Sequence, residues 1–281
     1  METISSCREM QRYSNKKRNS GESIVLVPTM GSLHEGHLSL IRLGRQRCDI
    51  LVVSIFVNPT QFSPTEDFNT YPRDFSRDSE LCRSLGVDVI YYPSVEEIYP
   101  KGFQTFIEVE ELSKPLCGIS RPHFFRGVAT VCAKLFNIVK PHMAVFGEKD
   151  YQQLLIIRRM VKDLNMDIKI ISAPLIREKD GLAMSSRNAY LNPAERKAAL
   201  CLNHGLSEAC VLFRKGWRDA SAIIRRVRNI MEAEPLVRID YVEIRDKETL
   251  APVTTIERPV VLALAAYAGK TRLIDNCLLD E

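Results

Sequence analysis

Across the first half of the chain, short runs rich in β-branched residues alternate with segments whose apolar positions recur at helical spacing. Residues 24–27, 50–57, 87–92, 144–146 and 168–171 are apolar at nearly every position, as strands covered on both faces must be. Between them, 37–47, 75–85, 128–139 and 151–164 read as helices. In the third of these Val128, Val131, Cys132, Leu135, Phe136 and Val139 repeat at i, i+3, i+4 and i+7, the stripe of a helix laid on a sheet. Strands and helices alternating in this order predict an α/β fold with a parallel, doubly wound sheet. Further along, helices at 193–213 and 220–232 precede strands at 239–244, 260–267 and 272–276, which predicts a second, smaller α+β domain. The expected division is 1–176 and 177–281, with the charged, serine-rich loop 177–192 joining the two and able to reach over the first domain's site.

Composition narrows the class. With 45% hydrophobic and 26% charged residues, the 281-residue chain has enough apolar surface for real cores, which excludes a disordered, collagenous or low-complexity protein. Lys and Arg outnumber Asp and Glu by 39 to 35, and the surplus is shared evenly between the two halves. No basic arm marks a nucleic-acid or anionic-membrane partner. The longest apolar stretches, 260–268 and 50–57, fall far short of the roughly 20 residues that span a bilayer. Glu2, Arg8, Glu9 and Arg12 interrupt any apolar leader, so a cytoplasmic protein is expected. The eight cysteines are dispersed without a Cys-x-x-Cys pair and mostly lie in apolar runs; they are expected to be reduced and buried, with no structural zinc site.

In open α/β sheets, ligands collect outside the carboxyl ends of the strands, where the strand order reverses. The polar loops after strands therefore carry the candidate chemistry. The first reads VPTMGSLHEGHL: Gly31 permits a tight turn, and His34 and His37, spaced i, i+3, meet at the start of a helix. Free N–H groups and two imidazoles there suit a phosphate, above all one on which charge is developing. Gly31 and Gly36 have P-loop spacing, but His37 and Leu38 stand where Lys and Ser or Thr would hold phosphate and magnesium, and HEGH lacks the i, i+4 histidines of a zinc protease. A purely structural histidine pair is the competing reading.

Three further loops add to the first. In SIFVNPTQF, Asn58 and Gln61 offer amides that donate and accept, against the plainer reading of an Asn-Pro turn. In VFGEKDYQQL, Gly147 allows close approach, Lys149 supplies a point charge for phosphate and Asp150 an acceptor for ribose hydroxyls; Glu148 and Asp150 are equally the acids of an exposed helix start. In GLAMSSRN, two hydroxyls and the Arg187 guanidinium can wrap a polyphosphate, or form an ordinary Ser-Ser turn. Four such loops in one chain weigh more than any one of them.

The ordered set PTMGSLHEGHLSLI, VSIFVNPTQF, Tyr71-Pro72-Arg73, VFGEKDYQQL, KDGLAMSSRNAYL, IDYVEIRD and TRLIDN resembles the pantoate–β-alanine ligase family of the HIGH-motif nucleotidyltransferase superfamily, over nearly the whole chain. The resemblance implies a Rossmann-like fold, ATP as substrate, Mg2+, a homodimer, and two steps: pantoate is adenylated with release of pyrophosphate, then β-alanine displaces AMP to give pantothenate. It places His34 and His37 on the ATP phosphates with Met30 and Gly31 beside them, and pantoate on Gln61 and Gln153, with β-alanine also at Gln61. Asn58, Tyr71 and Arg121 are further substrate candidates. Gly147, Glu148, Lys149 and Asp150 would hold the nucleotide and Ile176 would pack near adenine. Met184, Ser185, Ser186 and Arg187 would close over the β- and γ-phosphates, as a KMSKS loop does. His37, His34, Lys149 and Arg187 are the expected catalytic set, and Asp78 is a possible magnesium contact.

One segment departs from the family pattern. Arg-Pro-Gly-His-Phe is replaced by Arg121-Pro122-His123-Phe124-Phe125, so Phe124 occupies the histidine position, and His123 receives no role. The alternatives are a related adenylyltransferase acting on another carboxylate, which the Gln61 and Gln153 amides would select, and an RNA-binding module. The latter has only Arg225, Arg226 and Arg228 as local support, where a solvated helix face is the better reading.

Overall fold

The apolar runs become strands, and the first sheet holds one more than the pattern predicts. Among the residues described by the computed structural model, 1–64 and 66–280, six parallel strands are β1 (Glu2–Ile4), β2 (Ile24–Thr29), β3 (Ile50–Ile55), β4 (Val89–Tyr91), β5 (Met143–Gly147) and β6 (Lys169–Ala173). Their order is β1-β4-β3-β2-β5-β6. The strands after β2 run outward on one side and then, from β5, on the other, so the strand order reverses between β2 and β5, and their carboxyl ends flank the place where such sheets bind ligands.

The helices among these strands are α1 (Cys7–Asn19), α2 (Glu35–Arg45), α3 (Phe75–Ser84), the single turns α4 (Val95–Ile98), α5 (Glu110–Ser113) and α6 (Cys117–Ser120), then α7 (Phe124–Val139) and α8 (Tyr151–Asp163). Alternate residues of a strand face opposite sides. Val25, Val27, Leu51 and Val53 form one core with Leu40 and Ile41 of α2 and Cys82 of α3. On the other side α1 and α7 pack against β2, and Ile24, Leu26 and Val52 are fully buried. The parallel, helix-covered sheet agrees with the pattern. The pair β1 and α1 was not predicted, because β1 buries only Ile4 and α1 only Met10 and Ser14.

The remaining elements are α9 (Pro193–Arg214), α10 (Ala220–Glu232) and an antiparallel sheet of β7 (Val237–Asp246), β8 (Val260–Ala268) and β9 (Thr271–Leu279). Asn192 and Glu195 form a reciprocal capping box, with Pro193 at the first helical position, and this sets the start of α9. The arginines of α10 are on a solvated face: Arg226 pairs with Glu208 at 3.1 Å and Arg228 with Glu232 at 3.3 Å.

The chain divides into two compact units, one of Met1–Ser113, Arg121–Glu148 and Gln152–Pro174, the other of Lys114–Ser120, Lys149–Tyr151 and the chain from Leu175 onward. Two short segments before residue 176 thus go with the second unit, and hydrogen bonds explain it. Ser120 reaches Asp240 at 3.1 Å, the Tyr151 hydroxyl donates to the Lys247 carbonyl at 2.8 Å, and Asn276 donates to the Lys149 carbonyl at 2.9 Å. All eight cysteines are free thiols, but only Cys82, Cys117, Cys132 and Cys201 are buried; Cys7, Cys48, Cys210 and Cys277 are partly exposed, which corrects the expectation that all are buried.

Candidate active site

The histidine turn begins where β2 ends. Gly31 and Ser32 both take left-handed backbone conformations, with φ of 81° and 51°. Glycine adopts this freely and serine does not. The Thr29 hydroxyl donates to the Ser54 carbonyl at 2.8 Å and accepts the Gly31 N–H at 3.2 Å. The buried carboxylate of Asp78 on α3 accepts the Ser32 and Leu33 N–H groups, each at 2.8 Å. Burial pushes the Asp78 carboxyl above its ordinary range, and the two N–H groups oppose that shift.

The turn delivers His34 as the N-cap of α2, and the helix proper begins at Glu35. The expected meeting at a helix start is therefore one between a cap and a first-turn residue. The outcome is nevertheless a pair: the imidazole centroids are 4.1 Å apart, and the His34 N–H points to His37 Nδ1 at 3.4 Å. Both side chains are partly exposed, beside a helix start whose first N–H groups have no intrahelical acceptor.

After β3, Asn58 is 1% exposed and organises a network of amides. Its Oδ1 accepts the Tyr99 hydroxyl at 2.8 Å and the Thr60 hydroxyl at 2.9 Å; its Nδ2 donates to Gln61 Oε1 at 3.0 Å and to the Gly127 carbonyl at 3.1 Å. Gln61 Nε2 in turn donates to the Met30 sulfur at 3.1 Å, which joins this network to the residue before the histidine turn. A side chain at Gly127 would put Cβ 2.3 Å from the Thr60 carbonyl oxygen, so helix α7 approaches this turn closely only because residue 127 is glycine. Buried Tyr71 packs edge-on against Phe62 at 5.9 Å. Gln153 is partly buried in the first turn of α8, and Gly147 and Glu148 lie at the end of β5.

Two candidates of this unit have partners within the protein. The Arg121 guanidinium is held by the protein: it pairs with Glu66 at 2.7 and 2.8 Å, donates to the Gln61 carbonyl at 3.1 Å and lies 3.7 Å from the Phe124 ring centroid. In this structure its task is to clamp the Gln61 turn, and Phe124, at the departure from the family pattern, covers it. Asp78, expected as a magnesium contact, has each oxygen committed to a backbone N–H.

In the second unit, the Lys149 side chain is largely buried, 3.9 Å from the more exposed Asp150 carboxylate. Ile176 and Met184 are joined by a 3.0 Å backbone bond across a small hairpin that turns at Gly181, φ 95°. Buried Asn188 braces the hairpin by donating to Glu178 at 2.6 Å and to the Ala183 carbonyl at 3.0 Å; Ser185 accepts the Arg187 N–H at 3.3 Å. Arg177 pairs with Asp275 at 2.6 and 3.0 Å. Burial raises the Asp275 carboxyl and the guanidinium opposes the rise. Ser185, Ser186 and Arg187 are partly exposed beyond this brace.

The sequence pattern did not single out Thr29, Glu66, Tyr99 and Asn188 as supports of these loops, nor the contact of Asp78 with the histidine turn. Their partners lie from two to 55 positions away, and nothing in the local spelling marks them. Among the described residues no cluster of three or more His, Cys, Asp or Glu is placed to hold a metal ion.

Known proteins share this arrangement of strands and loops. The family model described as pantoate-beta-alanine ligase matches residues 2–278. The pantothenate synthetase of Geobacter sulfurreducens is 58% identical over 281 residues, covering all of this chain and 99% of that protein. That of Thermotoga neapolitana is 57% identical over 279 residues, 99% of this chain and all of that protein. The crystal structure of pantothenate synthetase from Thermus thermophilus superposes with a TM-score of 0.95 at 42% identity over the whole of both chains. The pantoate-beta-alanine ligase of Francisella tularensis, solved as a complex described as containing beta-gamma ATP and beta-alanine, gives 0.81 at 34% identity, over all of this chain and 98% of that one.

Proposed function

The chain belongs to the pantoate-beta-alanine ligase family and so joins pantoate to β-alanine at the expense of ATP; from that premise we propose how its own residues divide the work. A carboxylate is a poor acyl donor until one oxygen becomes part of a good leaving group. Pantoate's carboxylate therefore attacks the α-phosphorus of ATP and expels pyrophosphate, and the β-alanine amine then attacks the acyl carbon of pantoyl adenylate and expels AMP.

The attacking carboxylate has no proton to lose, so the first step needs charge stabilisation more than a base. His34 and His37, paired at the amino end of α2, supply it, together with the helix N–H groups. The Asn58–Gln61 network positions pantoate. The present acceptor of Gln61 Nε2 is a thioether, a weak one, which a substrate oxygen readily replaces. Gln153 is the second amide for pantoate. Gly147, Lys149 and Asp150 serve the nucleotide, Ile176 the adenine, and Ser185, Ser186 and Arg187 the outer phosphates.

Asp78 is buried with a backbone N–H on each oxygen, and among the described residues no cluster of His, Cys, Asp or Glu stands with it to hold magnesium. Magnesium in this reading arrives with the ATP phosphates, its usual mode. A homodimer and a cytoplasmic setting complete the reading; none of the described helices is long and apolar enough to cross a membrane.

The observation that carries the assignment is the contact of two imidazoles at a helix start where the strand order reverses. With pantoate, ATP and magnesium, and no β-alanine, the protein is expected to release about one pyrophosphate per site in a burst, and His37→Ala to slow that burst by at least about a hundredfold. Near-normal burst kinetics in the variant would remove His37 from the transition state.

A further inference from the structure

We propose that Asp78 is a positioning residue for the transfer step: its carboxylate holds the left-handed turn at Gly31 and Ser32 that delivers His34 and His37. The inference rests on the reading that these histidines act on the transferring phosphate. Its physical basis is the geometry of the turn. Two successive residues with φ of 81° and 51° form a conformation that an L-residue such as Ser32 resists. Something must offset that strain: Thr29 accepts the Gly31 N–H at 3.2 Å, and Asp78 accepts the two N–H groups that follow, including that of the strained Ser32 itself. Its Oδ2 and Oδ1 accept the N–H groups of Ser32 and Leu33, both at 2.8 Å, and its side chain is buried, where such charge-assisted bonds are strong.

The carboxylate is itself placed by local structure. Asp74 caps α3 by accepting the Arg77 N–H at 3.0 Å, which sets Asp78 in the first turn of that helix. The turn is also enclosed sterically, because a Cβ at Gly31 would stand 2.9 Å from Asp78 Oδ2 and 3.0 Å from Ile55 Cγ2. Two N–H groups converge on two oxygens, so the site demands two acceptors. An asparagine of the same shape offers only one and turns an NH2 against the other N–H.

The test uses the full chain with Asp78→Asn, followed by histidine imidazole NMR and pyrophosphate release. The protein has five histidines, and His123, His142 and His204 lie outside the turn, so they serve as internal folding controls. The expected result is that the His34 and His37 resonances shift while those three hold, with kcat lower by about tenfold or more and the KM for ATP little changed. Adding Ser32→Gly should recover part of the lost turnover, because glycine adopts the turn without the carboxylate's support. Unmoved His34 and His37 resonances in folded Asp78→Asn would overturn the proposal. So would a loss of activity reversed by excess magnesium, which would make Asp78 a metal contact. If the wild-type protein released no pyrophosphate, the functional reading would fail, and the NMR comparison would still decide what holds the turn. If Asp78→Asn does not fold, Gly31→Ala presses on the same carboxylate from the other side and is expected to move the same two resonances; silence there would also refute the proposal.

Discussion

The turn after β2 and the hairpin at 176–188 are both assigned to ATP phosphates, yet they are built in opposite ways. The turn is anchored from below: Thr29, Asp78 and a buried Leu33 hold a strained backbone, and the neighbouring Asn58 network is saturated with partners. The hairpin is braced at its base by Asn188 and by the Glu178–Arg196 pair at 2.6 Å, while Ser185 to Arg187 remain partly exposed. Charge developing on phosphorus rewards donors that need no reorganisation. Groups that grip the outer phosphates must let substrate in and pyrophosphate out, and a partly solvated loop suits that task.

This contrast predicts how substitutions divide between stability and binding. The largest effect is expected for Asn58→Ala, which leaves Gln61 Oε1 and the Gly127 carbonyl without their buried partner and removes one of the two bonds of the Tyr99 hydroxyl; about 3 kcal/mol of stability should be lost in denaturant titration, together with most turnover. Unchanged stability would mean that the two regions are not built differently. Arg187→Ala tests the other side: the KM for ATP should rise about tenfold, while stability stays within about 0.5 kcal/mol of wild type. A large fall in stability would show that the arginine is structural.

The smallest effect concerns the other end of β2. There His142 Nδ1 accepts the Ile24 N–H at 2.9 Å, a bond open only to the neutral ring, and burial, reinforced by Arg18, holds its pKa below the usual imidazole value. The unfolded chain therefore binds a proton more readily than the folded one, so this contribution is present above about pH 6.5 and is lost as pH falls below it. In melting scans from about pH 7.5 to about pH 5.5, His142→Asn should show a flatter decline than wild type. An equal decline would remove His142 as a source of the pH dependence.

Much of the fold was legible because burial on both faces imposes a recognisable pattern. The strands at 50–57 and 260–267 and the helices at 128–139 and 220–232 differ from the observed elements by a few residues or none. The pair β1 and α1 was hidden because it buries too few apolar side chains to make a pattern. Within the site, His34, His37, Asn58 and Gln61 could be named from their loops, since each loop directly follows a strand. The commitment of Arg121 to Glu66 could not, because the two residues stand 55 positions apart and meet only on folding.

By itself the sequence determined the class of sheet, the family and the residue types offered to ATP, because hydrophobic period and motif order are local properties of the chain. The tertiary structure alone decided which of those residues are occupied by the protein. Asp78 meets the N–H groups of Ser32 and Leu33, and Arg121 meets Glu66 and the Gln61 carbonyl, because a buried polar group must find partners and those partners are brought to it only by folding.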